Sequence, residues 1–176
     1  MRDGGGALTC VAGGMSREEL LARLERRGVQ LNESARTLLA HRCFDVRAPE
    51  RLEVLPRSLA ELGLTRGGTL PEIFAAVRAG GFAPLPVDAG PYLRLTLVSQ
   101  AQAPDSVLSA GRAPAGAIHV LAEPLSTDHE FPKGFYLRVV DGVTWLRGYR
   151  CDDEYVWPAD SVFAVRAVGG PPRGGS

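Results

Sequence analysis

The sequence predicts an α+β protein in which N-terminal helices pack on a C-terminal, mainly antiparallel sheet of about four or five strands. Three observations lead there. Ser16–Glu19, Ser58–Glu61 and Thr69–Glu72 each place a hydroxyl three residues ahead of a carboxylate, the pattern of a capping box. Apolar spacing of three and four residues gives way after Phe82 to alternation. Asp141-Gly142 then separates two alternating stretches, a strong short-range hairpin signal.

Residues 1–14, MRDGGGALTCVAGG, are Gly-rich and patternless, so they read as a disordered leader, with Met15 a candidate for the true start. A chain beginning at Met15 should then fold as stably as the whole. From Ser16 a helix runs to Arg27, with Leu20, Leu21 and Leu24 on one stripe and Gly28 ending it. Asn32 caps a second helix through Ala35, Leu38 and Leu39, giving a helical hairpin. The sharper reading, a DNA-binding helix-turn-helix, lacks the basic recognition face. A short strand is expected at Leu52–Leu55, a turn of helix from Ser58 to Gly63, and a third helix from Thr69, with Pro71 early and Gly80-Gly81 ending it. Tyr92–Val98 alternates, so Leu93, Leu95 and Leu97 read as the core face of a strand. Residues 99–116 read as a long loop. Further strands follow around Ile118–Ala122, Gly134–Val140, Val143–Arg150 and Val162–Val168, and residues 169–176 form a tail. Residues 15–168 thus form a single domain, helical to about 81 and β-rich from about 92.

The 176 residues carry 20 Lys+Arg against 20 Asp+Glu. Zero net charge argues against a protein whose affinity comes from neutralising phosphates, and so against nucleic acid as the principal partner. No stretch reaches about 18 consecutive apolar residues, so no membrane span is expected. Cys10, Cys43 and Cys151 are too far apart for a CxxC metal site or a disulfide framework, which points to a reducing cytoplasm. Lys133 is the only lysine.

The segments TLPEIFAAVRAGGF (69–82), GPYLRLTLVSQ (90–100) and above all EFPKGFYLRVVDGVTWLRGYRCDDEYVWPAD (130–160) resemble a family of uncharacterised bacterial proteins, over about Met15 to Arg166. The resemblance implies a bacterial, cytoplasmic origin and carries no activity, cofactor or catalytic residue.

Few residues form a chemical pattern. His41, His119 and His129 never fall at metal-ligand spacing, and no metal or cofactor is expected. Asp128-His129-Glu130 and Asp152-Asp153-Glu154 read first as solvated turns. Cys151 lies beside carboxylates, which disfavour its thiolate, and Cys43 reads as a core residue. Gly67-Gly68 could offer backbone amides to an anion, but no P-loop lysine follows.

The hairpin holds the one constellation above this background. A two-residue turn at Asp141-Gly142 sets Arg138 opposite Trp145 and Tyr136 opposite Arg147. Phe135, Leu137, Val139 and Leu146 then face a core, while Tyr136, Arg138, Trp145, Arg147 and Tyr149 share the opposite face. Tyr92, Arg94 and His119 extend that face if their strands join the sheet. The plain reading is a cation–π ladder that braces a sheet, each pair contributing about 0.5–1 kcal/mol. The functional reading is a recognition surface, because Tyr, Trp and Arg dominate binding hot spots. It gives a non-enzymatic interaction module with a protein or small anionic ligand as partner. Two alternatives use the same arginines: a hydrolase-type enzyme holding an anionic substrate on Arg138 and Arg147, with Asp128, His129 or Glu130 as acid or base, and a single-stranded nucleic-acid binder.

Overall fold

The computed structural model describes residues 7–101 and 117–168. Its strands are β1 (Leu8–Ala12), β2 (Gln30–Leu31), β3 (Glu50–Ser58), β4 (Phe82–Ala83), β5 (Ile118–Val120), β6 (Gly134–Val140), β7 (Val143–Tyr149) and β8 (Val162–Ala167). The helices are α1 (Arg17–Arg26), α2 (Glu33–Leu39), α3 (Leu70–Ala79) and α4 (Ala89–Ala101).

The first three helices begin where side chains satisfy free amides. The Ser16 hydroxyl accepts from Glu19 N at 3.2 Å, the Asn32 carbonyl from Ala35 N at 2.8 Å, and Thr69 with Glu72 closes a reciprocal capping box behind Pro71. Ser58 and Glu61 bond reciprocally too, but over a turn that ends at Gly63 (φ +93°).

The sheet departs from the expected one of four or five strands behind N-terminal helices. All eight strands join a single curled, mixed sheet shaped like a half-barrel, in the order β1-β3-β8-β5-β6-β7-β2, with β4 also on β8. Strands from both halves of the chain therefore interleave. β8 lies centrally: β3 pairs along one edge, while β5 takes Val162–Ala164 and β4 takes Arg166 and Ala167 on the other. The β5–β8 and β2–β7 pairs are parallel. These additional strands escaped the sequence because β2 and β4 have two residues each, too few to show a period.

Both faces of the sheet are covered. On one side α1, α2 and α4 bring Leu20, Leu24, Leu38, Leu93 and Leu97 against Phe135, Leu137 and Leu146. On the other, Leu70, Ile73 and Val77 of α3 join Leu59, Tyr149, Trp157, Phe163 and Val165. Adjacent residues of β8 consequently point into different cores, and Val162, Phe163, Ala164 and Val165 are all buried.

The stretch expected as a strand at Tyr92–Val98 is part of α4. Alternation misled because the first turns of this helix are largely enclosed: Tyr92, Leu93, Arg94 and Leu97 are all buried, so these turns lack the polar stripe that reveals a 3.6-residue period. The better signals are Leu93 and Leu97 at i, i+4 and Pro91 in the first turn. Gly90 lets the helix lie on β6; a Cβ there would come within 2.6 Å of the Phe135 ring.

Within the stretch read as a leader, Leu8–Ala12 forms an edge strand antiparallel to β3, with Cys10 and Ala12 buried and Thr9 and Val11 exposed. A chain beginning at Met15 is accordingly expected to lose at least about 2 kcal/mol of stability through lost burial and the bared edge of β3. Urea denaturation of the two chains checks this, and coincident midpoints would show that β1 adds nothing.

Candidate functional surface

The β6–β7 hairpin closes through Asp141 (φ +50°) and Gly142 (φ +77°), the two positive angles of a type I′ turn. Its register sets Arg138 opposite Trp145, Tyr136 opposite Arg147 and Gly134 opposite Tyr149. Phe135, Leu137 and Leu146 enter the core beneath α4, while Tyr136, Arg138, Trp145 and Arg147 are half-buried on the opposite face.

The cation–π contact runs along β7. The Arg147 guanidinium lies 4.2 Å from the centre of the Trp145 ring, two residues back on the same strand. This leaves Arg138 and Arg147 without an ion pair or hydrogen bond among the described residues, and the Nε atom of each is buried without a partner. Two guanidinium groups thus share one face with no carboxylate partner among the described residues.

Nearer the base of the hairpin the same face closes over. His119, opposite Tyr136 in the β5–β6 register, stacks on its ring at 5.3 Å. It also meets Tyr149 at 5.5 Å, Trp157 at 4.7 Å and Phe163 at 5.2 Å. Tyr149 and Trp157 are buried, and the Tyr149 hydroxyl and Trp157 Nε1 find no partner among the described residues. Burial pushes the Tyr149 hydroxyl well above its usual range. Tyr149 and His119 therefore belong to an aromatic core, while Arg138, Trp145 and Arg147 form the accessible part. Trp157, which completes the ring cluster, was missed from sequence. The available signal was that 8 of the 12 aromatic residues lie between Phe131 and Phe163.

Burial pulls the His119 imidazole down to about 4 from 6.5, against a weaker opposing effect from Val162 O, which Nδ1 meets at 3.3 Å. The unfolded chain binds the proton near pH 6.5 and the folded one does not. The contribution is thus complete above that pH and is lost as pH falls toward 4, up to about 3 kcal/mol in all. The melting temperature of His119→Phe is expected to fall less steeply than wild type between pH 6.5 and 4. Parallel curves would count against the buried neutral ring.

Tyr92 and Arg94 do not extend this surface. Being on α4, they point into the other side of the sheet. Arg94 is 3% exposed, its Nη1 donates to Trp145 O at 3.3 Å, and burial pulls its guanidinium down to about 10. It braces from behind the strand that carries Trp145 in front. Tyr92 is buried beside α1, with its hydroxyl raised by burial against hydrogen bonds from the Met15 and Gly13 backbone.

The other sequence candidates are spread out. Asp128, His129 and Glu130 are exposed on the turn before β6, where the Asp128 carboxylate already accepts from Glu130 N at 2.9 Å. From Gly134 to Arg138 is four residues of strand, about 13 Å. The Gly67 and Gly68 amides are taken by Leu64 O and Trp157 O. All three cysteines are free and their thiols raised, chiefly by burial, Cys43 to about 11. Clefts of about 280 and 360 Å³ among the described residues lie between α1, β2 and α2, lined by Leu21, Leu31 and Arg36. They include none of the hairpin face.

No family model, curated protein or solved structure matches this chain. No helix among the described residues is long and apolar enough to cross a membrane.

Proposed function

We propose that the protein is a non-enzymatic interaction module that engages an anionic partner, a protein surface or a small ligand, through Arg138, Trp145 and Arg147 in a reducing cytoplasm. The observation that carries this is the pair of guanidinium groups on one sheet face with no carboxylate partner among the described residues, one of them already ordered on Trp145. An ordered guanidinium loses less freedom when it meets a carboxylate fork, which favours recognition over mere bracing. The enzyme reading is weaker because the acid–base candidates sit at the far end of β6 and no described cleft joins them to the arginines. Zero net charge disfavours nucleic acid.

The test is capture from a cell extract by wild type and by Arg138→Ser/Arg147→Ser, with equal melting temperatures verified first. Wild type is expected to retain partners that the variant loses. Identical captured sets would overturn the reading and leave the face as a brace.

A further inference from the structure

We infer that this protein pairs with a second copy of itself, the Arg138–Trp145–Arg147 face of each copy receiving the acidic turn at 152–156 of the other. The inference rests on the interaction face described above and names its partner.

The turn has the complementary chemistry. Asp152 holds it, its Oδ1 accepting from Glu154 N at 3.0 Å and Tyr155 N at 2.8 Å. That leaves Asp153 and Glu154 exposed with no ion pair among the described residues, next to Tyr155 and Val156, which are 50% and 57% exposed. Each face thus offers two unpaired guanidinium groups and an indole, and each turn offers two unpaired carboxylates and two apolar side chains.

Both patches also lie on the same side of the molecule. Trp145, Arg147 and Tyr149 alternate onto one face of β7, and Tyr155 packs edge-on against Trp157, which packs on Tyr149. Asp152 is five positions after Arg147, at most about 17 Å of extended chain. In a two-fold dimer patch i meets patch j twice, so both must share one side, as they do here. The equal numbers of basic and acidic residues in the chain fit a contact that neutralises itself.

Sedimentation of the full chain over a wide concentration range, at low and high salt, tests this. Wild type is expected to reach twice the chain mass at low salt and to dissociate as salt rises. Arg138→Glu/Arg147→Glu is expected to stay monomeric, and so is Asp153→Arg/Glu154→Arg, whose positions are exposed and spare Asp152. Mixing the two variants should restore a dimer, because each then presents the charge the other lacks. A wild type that stays monomeric, a dimer indifferent to either charge reversal, or a mixture that fails to associate would overturn the inference. If wild type is monomeric yet Arg138→Ser/Arg147→Ser still loses captured partners, the interaction face stands and only the choice of partner falls.

Discussion

Arg47→Ala is expected to cost about 3–5 kcal/mol, because it strands a buried carboxylate. Asp88, immediately before α4, is 6% exposed. Arg47 grips it with both branches of the guanidinium, Nε to Oδ2 at 2.6 Å and Nη2 to Oδ1 at 3.0 Å. Glu50, which Arg47 also approaches at 3.4 Å, links on to Arg166 of β8 at 3.3 Å. Those outer contacts are partly exposed and contribute little; the Asp88 end matters, since its carboxylate is buried and Arg47 is its ion-pair partner. The control is Arg47→Met/Asp88→Leu, which removes both charges and should cost less than Arg47→Ala alone. Chemical denaturation of the three proteins measures this. A loss under about 1 kcal/mol for Arg47→Ala would show that Asp88 finds water or another partner.

Gly148→Ala should be comparably damaging, for a steric reason. A Cβ at Gly148 would lie 2.7 Å from the Ser34 carbonyl carbon and 2.9 Å from Ala35 N, backbone atoms at the start of α2 that have no rotamer to escape into. The approach is locked from the other side as well: the Asn32 side chain accepts from Gly148 N at 2.9 Å and donates to Gly148 O at 3.2 Å while it caps α2. Admitting the methyl group must break this clamp, so a loss of about 3 kcal/mol is expected. Gly142→Ala makes the comparison, since its φ of +77° is strained for alanine but nothing lies within 4 Å. It should cost only about 1–2 kcal/mol. If Gly142→Ala proves the more harmful, the contact of β7 with α2 is looser than these distances say.

Local signals were legible wherever short-range chemistry decides the outcome. Ser16, Asn32 and Thr69 start helices because each offers an oxygen to an amide three residues on, and that needs no tertiary partner. Asp141-Gly142 made the hairpin register readable, and with it the set Tyr136, Arg138, Trp145 and Arg147 on one face. The other members of the set failed for a common reason. Tyr92 and Arg94 lie in a segment whose alternation mimics a strand but which forms a helix packed against α1, β1, β6 and β7. His119 and Tyr149 are on the expected face, but the 151–160 segment, whose sequence shows no regular period, folds Trp157 over them.

From sequence alone, then, came the mixture of helices and strands, the capped helix starts and the geometry of one hairpin, all set by contacts within a few residues along the chain. The tertiary structure decided the size and order of the sheet, because pairing β1 with β3, β3 with β8 and β2 with β7 joins residues far apart in the chain and leaves no local period. It also decided which half of the Arg and aromatic face stays accessible. Burial is a property of what packs on a surface, and the residues that pack here, Trp157 and α3, approach it from elsewhere in the chain.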